Sequence, residues 1–155
     1  NAFLNRLKAF LTLKMCPSSL LNNYAEFSPV DKVAEAIVTA MQYYTYPTSI
    51  LHIYNSKHLY ISDLFNILEQ LGLNVSIVDD NTFKTVLKKW LYDNNKADKI
   101  KVLLNDLDKD NKLVYKTNLH ITNDFTLKFL NKIGFDWPDI DKDYIEKILK
   151  NINEM

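Results

Sequence analysis

Two glycines in 155 residues, Gly72 and Gly134, constrain this chain more than any other feature. At the usual frequency of roughly 7%, about eleven would be expected. Glycine lets the backbone enter left-handed conformations and lie close against a phosphate. Two isolated glycines cannot build the G-x-G-x-x-G turn of a dinucleotide-binding fold or a Walker loop. A complete nucleotide-binding domain of either kind is therefore excluded within these residues. The length still allows one domain with a real core. Apolar residues at 47% and charged residues at 25% fit an ordinary globular chain.

Nineteen basic residues balance nineteen acidic ones. No basic footprint for nucleic acid or for an anionic membrane results, so neither is expected as a partner. Cys16 is the only cysteine. No intrachain disulfide can form, and a reducing, cytoplasmic location is expected. His52, His58 and His120 are scattered, with no metal-ligand spacing to that cysteine. No apolar run approaches the ~18 residues of a membrane span, and no signal peptide is visible. The sequence begins at Asn1 without Met and is helical in pattern from its first residues. A piece of a longer polypeptide is expected on that ground.

Hydrophobic spacing sets out the elements. Asn1 to Lys14 places Phe3, Leu4, Leu7, Phe10 and Leu11 on one helical face. Pro17 and the serines after it are expected to end that helix, with a loop running to Phe27. Ser28 is then expected as an N-cap, with Pro29 at the first helical position and Asp31 in the first turn. This helix should run to about Tyr44 and stop at Tyr46-Pro47. Ile50 to Asn55 is short and β-branched and reads as a strand. A helix follows, capped by Ser62 and stopped by Gly72. Asn74 to Val78 reads as a second strand. Strand, helix, glycine, strand makes one βαβ unit with two short parallel strands.

From Asp80 onward the pattern is helical. Phe83, Val86, Leu87, Trp90 and Leu91 share one face; Ile100, Leu103, Leu104 and Leu107 share another. Leu113 to Tyr115 could be a short extended piece. Thr122 is expected to cap a helix ended by Gly134, and a final helix carries Tyr144, Ile145, Ile148, Leu149 and Ile152. The expected fold class is α/β, mostly helical. Its organisation is residues 1–79, with the βαβ unit, followed by a helical subdomain over 80–155.

Few residues offer chemistry. Tyr92 and Lys96 match Y-x-x-x-K, the pair in which a lysine lowers a tyrosine pKa for proton exchange with a carbonyl. Asp93-Asn94-Asn95 between them breaks helices, so a solvated loop is expected instead. Cys16 lacks the basic neighbours of a reactive thiolate and reads as a small packed residue. His52 reads as a satisfied sheet residue. His58 follows the carboxyl end of a strand, the edge where open α/β sheets bind ligands. Asp31, Asp63 and Asp141 read as helix-start acids, and Trp90 and Trp137 as core anchors. Asp108 and Asp110 lack the glycine and terminal glutamate of a calcium loop. No set of nucleophile, base and oxyanion stabiliser emerges, so no catalytic residue, cofactor-binding residue or metal ligand is assigned.

Five segments, in order, nevertheless resemble one family. Asn5-Arg6-Leu7-Lys8-Ala9-Phe10-Leu11 is similar to an N-R-h-x-x-h helix. Phe27 to Val38 closely resembles the signature F-S-P-V-D-x-V-A-x-A-I-V. His52-Ile53-Tyr54-Asn55 resembles F-H-L-x-N. Leu64 to Gly72, with Val75, is similar to L-x-x-x-L-x-x-x-G-h-x-h. Gly134-Phe135-Asp136-Trp137-Pro138 with Ile140, Asp141 and Tyr144 resembles G-F-x-W-P-x-I-D-x-x-Y. These are features of the terminal thioester reductase domains of nonribosomal peptide synthetases, within the extended short-chain dehydrogenase/reductases.

The resemblance implies a C-terminal part only, the remnant of a Rossmann-like fold with a helical substrate-binding subdomain. Such domains bind NADPH in an upstream Rossmann half. They reduce a peptidyl thioester on a carrier protein's phosphopantetheine arm, releasing an aldehyde or an alcohol. The glycine-rich loop and catalytic residues of the family lie upstream of the residues matched here, so no cofactor is expected on this piece and the piece alone should be inactive. Phe27, Asn55 and His58 are implied as neighbours of the substrate cleft. The implied partners are the upstream half and the peptidyl carrier protein. Two other readings stay open: a non-catalytic helical interaction module, and the equivalent part of a carboxylic acid or fatty acyl reductase.

Overall fold

The structure is a computed structural model that describes residues 2–45, 50–109, 114 and 121–153. The expected stop at Tyr46-Pro47, the extended piece around Leu113 and Tyr115, and His120 lie outside the described residues. Among those described, seven α-helices accompany four very short strands, so the chain is α/β and mostly helical. It divides into two compact units. Unit 1 comprises Asn1–Ala25, Tyr60–Lys116 and Lys142–Met155; unit 2 comprises Glu26–Leu59 and Thr117–Asp141. Each unit draws on both sides of residue 80, so a division there does not coincide with either.

Unit 1 starts with α1 (Ala2–Leu13). Of its expected face, Leu7 and Phe10 are buried and Phe3, Leu4 and Leu11 half-buried, while Ala9 and Leu13 also join the core. The helix ends earlier than Pro17, because Lys14 takes φ 53°. This left-handed residue, uncommon outside glycine, turns the chain into β1 (Met15–Pro17). The region expected to be loop thus contains a strand. β1 pairs in parallel with β4 (Ser76–Val78), Met15 opposite Ser76 and Cys16 opposite Ile77. The two short parallel strands exist, but Met15–Pro17 takes the place expected for Ile50 to Asn55. Between them come β2 (Tyr24–Ala25), α2 (Val30–Tyr43), β3 (Leu59–Tyr60) and α3 (Ile61–Gln70). The expected cap Ser62 lies inside α3; Tyr60 is its N-cap and gives no side-chain bond.

After β4, Asp79 accepts from the amides of Asn81 and Thr82, both at 3.0 Å, and so caps α4 (Asp80–Leu91). The Thr82 hydroxyl, and then these amide bonds, hold its carboxyl below the usual range. Phe83 and Leu87 of α4 are buried. The ring of Phe10 lies 6.0 Å from Phe83 and 6.5 Å from Phe65 of α3, both edge-on or tilted. α5 (Asn94–Ile100) and a 3₁₀ turn (Lys101–Asp106) pack on α1. α7 (Lys142–Asn153) adds Ile145 and Leu149 to the buried set.

In unit 2, α2 and α6 (Asp124–Lys132) enclose a cluster of Ala36, Ala40, Leu130, Phe135 and Trp137. Asn123 is the N-cap of α6, not Thr122. Both glycines end helices as expected. Gly72 has φ 80° and Gly134 φ 83°. After α3, Gly72 N–H donates to Glu69 O and Leu73 N–H to Leu68 O, each 2.9 Å; after α6, Gly134 donates to Asn131 O and Phe135 to Leu130 O. This is the Schellman arrangement, which requires a left-handed residue. A Cβ at either glycine would meet nothing within 4 Å. Gly72→Ala and Gly134→Ala are therefore expected to lose only the conformational term, about 1 kcal/mol each, measured as a lower urea midpoint with unchanged slope.

Candidate functional site

Asn55 is the centre of the candidate site. It is fully buried, and a buried carboxamide must satisfy its donors and acceptor. Its Nδ2 donates to Phe27 O at 3.1 Å and to Pro138 O at 3.3 Å. Its Oδ1 accepts from the Lys57 amide at 2.9 Å, and its own amide donates to Ser28 Oγ at 2.9 Å. One side chain thus joins the stretch before α2, the 55–57 turn and the Trp137-Pro138 turn. Both carboxamide protons are committed, so Asn55 positions backbone and offers no free donor to a ligand.

Ser28 was expected to cap α2. The N-cap is Pro29, without a side-chain bond. The Ser28 hydroxyl instead donates to Glu26 Oε1 at 2.6 Å and accepts from Asn55. Asp31 does sit in the first turn, where a carboxylate favours the helix dipole.

The structure brings Phe27, which is buried, against Asn55. His58 is exposed; its ring is 6.4 Å from that of Tyr54, nearly parallel at 15°. Lys57 bridges to Asp139 at 3.0 Å and to Asp136 at 3.6 Å. The hydrogen bond and charge of these two carboxylates raise the Lys57 pKa.

Residues 50–55 form no strand. Their backbone is held by side chains: His52 N–H donates to Thr126 Oγ1 at 3.0 Å, and Asn123 Nδ2 donates to Tyr54 O at 3.0 Å. Tyr54 Oη donates to Ile121 O at 2.8 Å. His52 and Tyr54 use the same edge, as alternate residues of a strand do. No hydrogen bond among the described residues uses the backbone of Leu51 or Ile53 on the other edge. His52 is exposed rather than a packed sheet residue.

The remaining expectations resolve simply. Tyr92 ends α4 and is 90% exposed, whereas Lys96 belongs to α5, paired with Asp93 at 2.8 Å and 5.3 Å from the Trp90 ring. No continuous helical turn aligns Tyr92 with Lys96. Cys16 is fully buried; desolvation, and then the Asp80 charge, push its thiol pKa far up, so it is no nucleophile. Trp137 is a core anchor and Trp90 is half-buried. Among the described residues no group of three His, Cys, Asp or Glu could hold a metal ion. No described helix is long and apolar enough to cross a membrane.

Asn123 and Thr126 are the site residues that sequence reasoning missed. Their signal is the polar pair Asn123–Thr126 at the start of a helix, which reads as ordinary capping chemistry.

No family model matches this sequence, and no curated protein sequence matches it. Solved structures do. A thiolation-reductase di-domain from an archaeal non-ribosomal peptide synthetase matches 99% of this chain at TM-score 0.76 and 22% identity. The reductase domain of the aureusimine biosynthetic cluster matches at 0.73 and 24%, and the terminal R domain from the myxalamid PKS-NRPS pathway at 0.75 and 19%, each again over 99%. The chain spans 31%, 38% and 38% of those three chains. Its fold is that of about a third of a synthetase reductase domain.

Proposed function

We propose that these residues form the C-terminal, substrate-binding portion of an NADPH-dependent thioester reductase. That enzyme releases a carrier-protein-bound peptide as an aldehyde or, after a second reduction, as an alcohol. The observation that carries the reading is the likeness of fold over 99% of the chain to three synthetase reductase domains. The ordered motifs from Asn5-Arg6 to Trp137-Pro138 support it independently.

The residues present do not fit NADPH by themselves. Both glycines terminate helices, and no glycine-rich turn remains to cradle a diphosphate. The cofactor belongs to an upstream half, and Phe27, Asn55 and His58 border the substrate cleft that this half completes. Unit 2 carries a face suited to that half. Val30 and Met41 of α2 are 83% and 78% exposed, and Ile50 77%. A hollow of about 160 Å³ lies between Ile37, Met41, Leu51 and Ile53. Apolar patches of this kind mark interaction surfaces, and the free edge at Leu51 and Ile53 can extend a sheet.

The test compares the 155 residues with a longer polypeptide that includes the upstream coding region. The longer chain should bind NADPH and oxidise it with an acyl thioester, and should protect the Leu51 and Ile53 amides from hydrogen exchange. The 155 residues alone should do neither. Tight NADPH binding to the short chain, or none by the long one, rejects the proposal. An upstream region without a strand and glycine-rich turn, combined with binding to a carrier protein, identifies a non-catalytic interaction module instead.

A further inference from the structure

We propose that a cleft in unit 1, between α1 and residues 98–102, binds a small phosphate-bearing anion through Lys8 and Lys99. The cleft measures about 690 Å³, within the roughly 300–1,000 Å³ of small-molecule sites. Asn5, Lys8 and Thr12 form one wall, and Asp98, Lys99, Lys101 and Val102 the other. Three lysines therefore line it with a single acidic residue. That carboxylate is occupied: Asp98 pairs with Lys101 at 2.9 Å. Lys8 and Lys99 enter no ion pair among the described residues. The chain as a whole is neutral, so this local excess of two positive charges is not the by-product of a basic protein. A concave surface of one sign concentrates counter-charge, and lysine is a point-charge binder of phosphate.

The neutral residues narrow the ligand further. The Thr12 hydroxyl donates to Lys8 O at 2.8 Å, so it brings no donor to the cleft. Asn5 supplies a carboxamide N–H₂ group. Val102 gives an apolar wall for a short aliphatic arm. The Arg6–Asp106 ion pair ties α1 to the 3₁₀ turn that follows Ile100, which holds the two walls in register. A ligand with at least two negative charges on one compact group offers a charge to each of these lysines, whereas a monoanion offers only one. The inference does not depend on the reductase reading.

Inorganic pyrophosphate is the probe. It is titrated into the 155-residue chain at low ionic strength while backbone amide NMR shifts are followed. Saturable shifts are expected at Asn5, Lys8, Lys99 and Lys101, weakening with added salt. The Lys8→Gln/Lys99→Gln double variant should bind about ten-fold more weakly, as loss of two charge contacts implies. Single Lys99→Gln should lie between the two, and Lys89→Gln on α4 should match the parent chain. Acetate should shift the same amides far less than pyrophosphate. No saturation at millimolar pyrophosphate overturns the proposal. So do shifts spread over all exposed lysines, an unchanged affinity in the double variant, or an equal response to acetate.

Discussion

Arg6→Ala will destabilise the chain by about 3 kcal/mol at neutral pH, the penalty for stripping a buried charge of its partner. Asp106 has only 1% of its side chain exposed, and its Oδ1 accepts from the Arg6 guanidinium, which is 32% exposed. Its second oxygen, Oδ2, has no hydrogen bond among the described residues. Burial outweighs Arg6 and raises the Asp106 pKa. The sign of the pH dependence follows. A carboxyl whose folded pKa exceeds its unfolded value takes up a proton first in the folded state. Its contribution to stability is therefore largest at low pH and is lost as pH rises through the folded pKa. In Arg6→Ala the attraction that opposes burial is gone, and the folded pKa climbs further. The penalty should shrink as pH falls toward the carboxylate range. Urea unfolding of both proteins at several pH values measures this. A penalty independent of pH would mean that Asp106 is not the group left unpaired.

Asn55→Ala is expected to cost about 3 kcal/mol. Truncation removes the partner of three backbone groups at once: Phe27 O, Pro138 O and the Lys57 N–H. Each buried group left unsatisfied costs roughly 1–3 kcal/mol, moderated where water can enter. Asn55→Asp keeps the shape but cannot donate, and sets a carboxylate against two carbonyl oxygens; it should be at least as damaging. Chemical denaturation gives the stability. On the proposed reductase function, the longer polypeptide carrying Asn55→Ala is expected to show a fall in kcat/KM for thioester reduction without a change in NADPH affinity. Wild-type stability of Asn55→Ala would remove this residue from the centre of the candidate site.

Local rules made part of this structure legible. Gly72 and Gly134 could be placed because a left-handed helix stop has a strong residue preference. The start of α2 was legible in position, since Pro29 fixes the turn, but its capping chemistry was not. Ser28 is claimed by Asn55, twenty-seven residues away, and no window around Ser28 shows that. Strand β1 escaped because it has three residues and follows a helix stopped by left-handed Lys14, where no glycine marks the stop. Residues 50–55 have strand composition, but pairing depends on a neighbour, and their accessible groups are taken by Asn123, Thr126 and Ser28. The Arg6–Asp106 pair joins positions 100 residues apart. Phe27 and Asn55 were singled out through resemblance as cleft neighbours; the structure shows only that a hydrogen bond joins them.

The interleaving of the two units has a consequence for the order in which they can form during translation. Unit 2 needs residues 117–141 to close on residues 26–59. It is complete in composition once the ribosome has released position 141. Unit 1 contains α1 and also α7, whose Ile145 and Leu149 are buried. Its β1–β4 ladder already spans sixty-one positions, a slow closure by the logic of loop entropy. The unit begun first is therefore finished last. Until α7 emerges, unit 1 lacks Ile145 and Leu149 of its buried set, and chaperone binding during synthesis should persist on that unit.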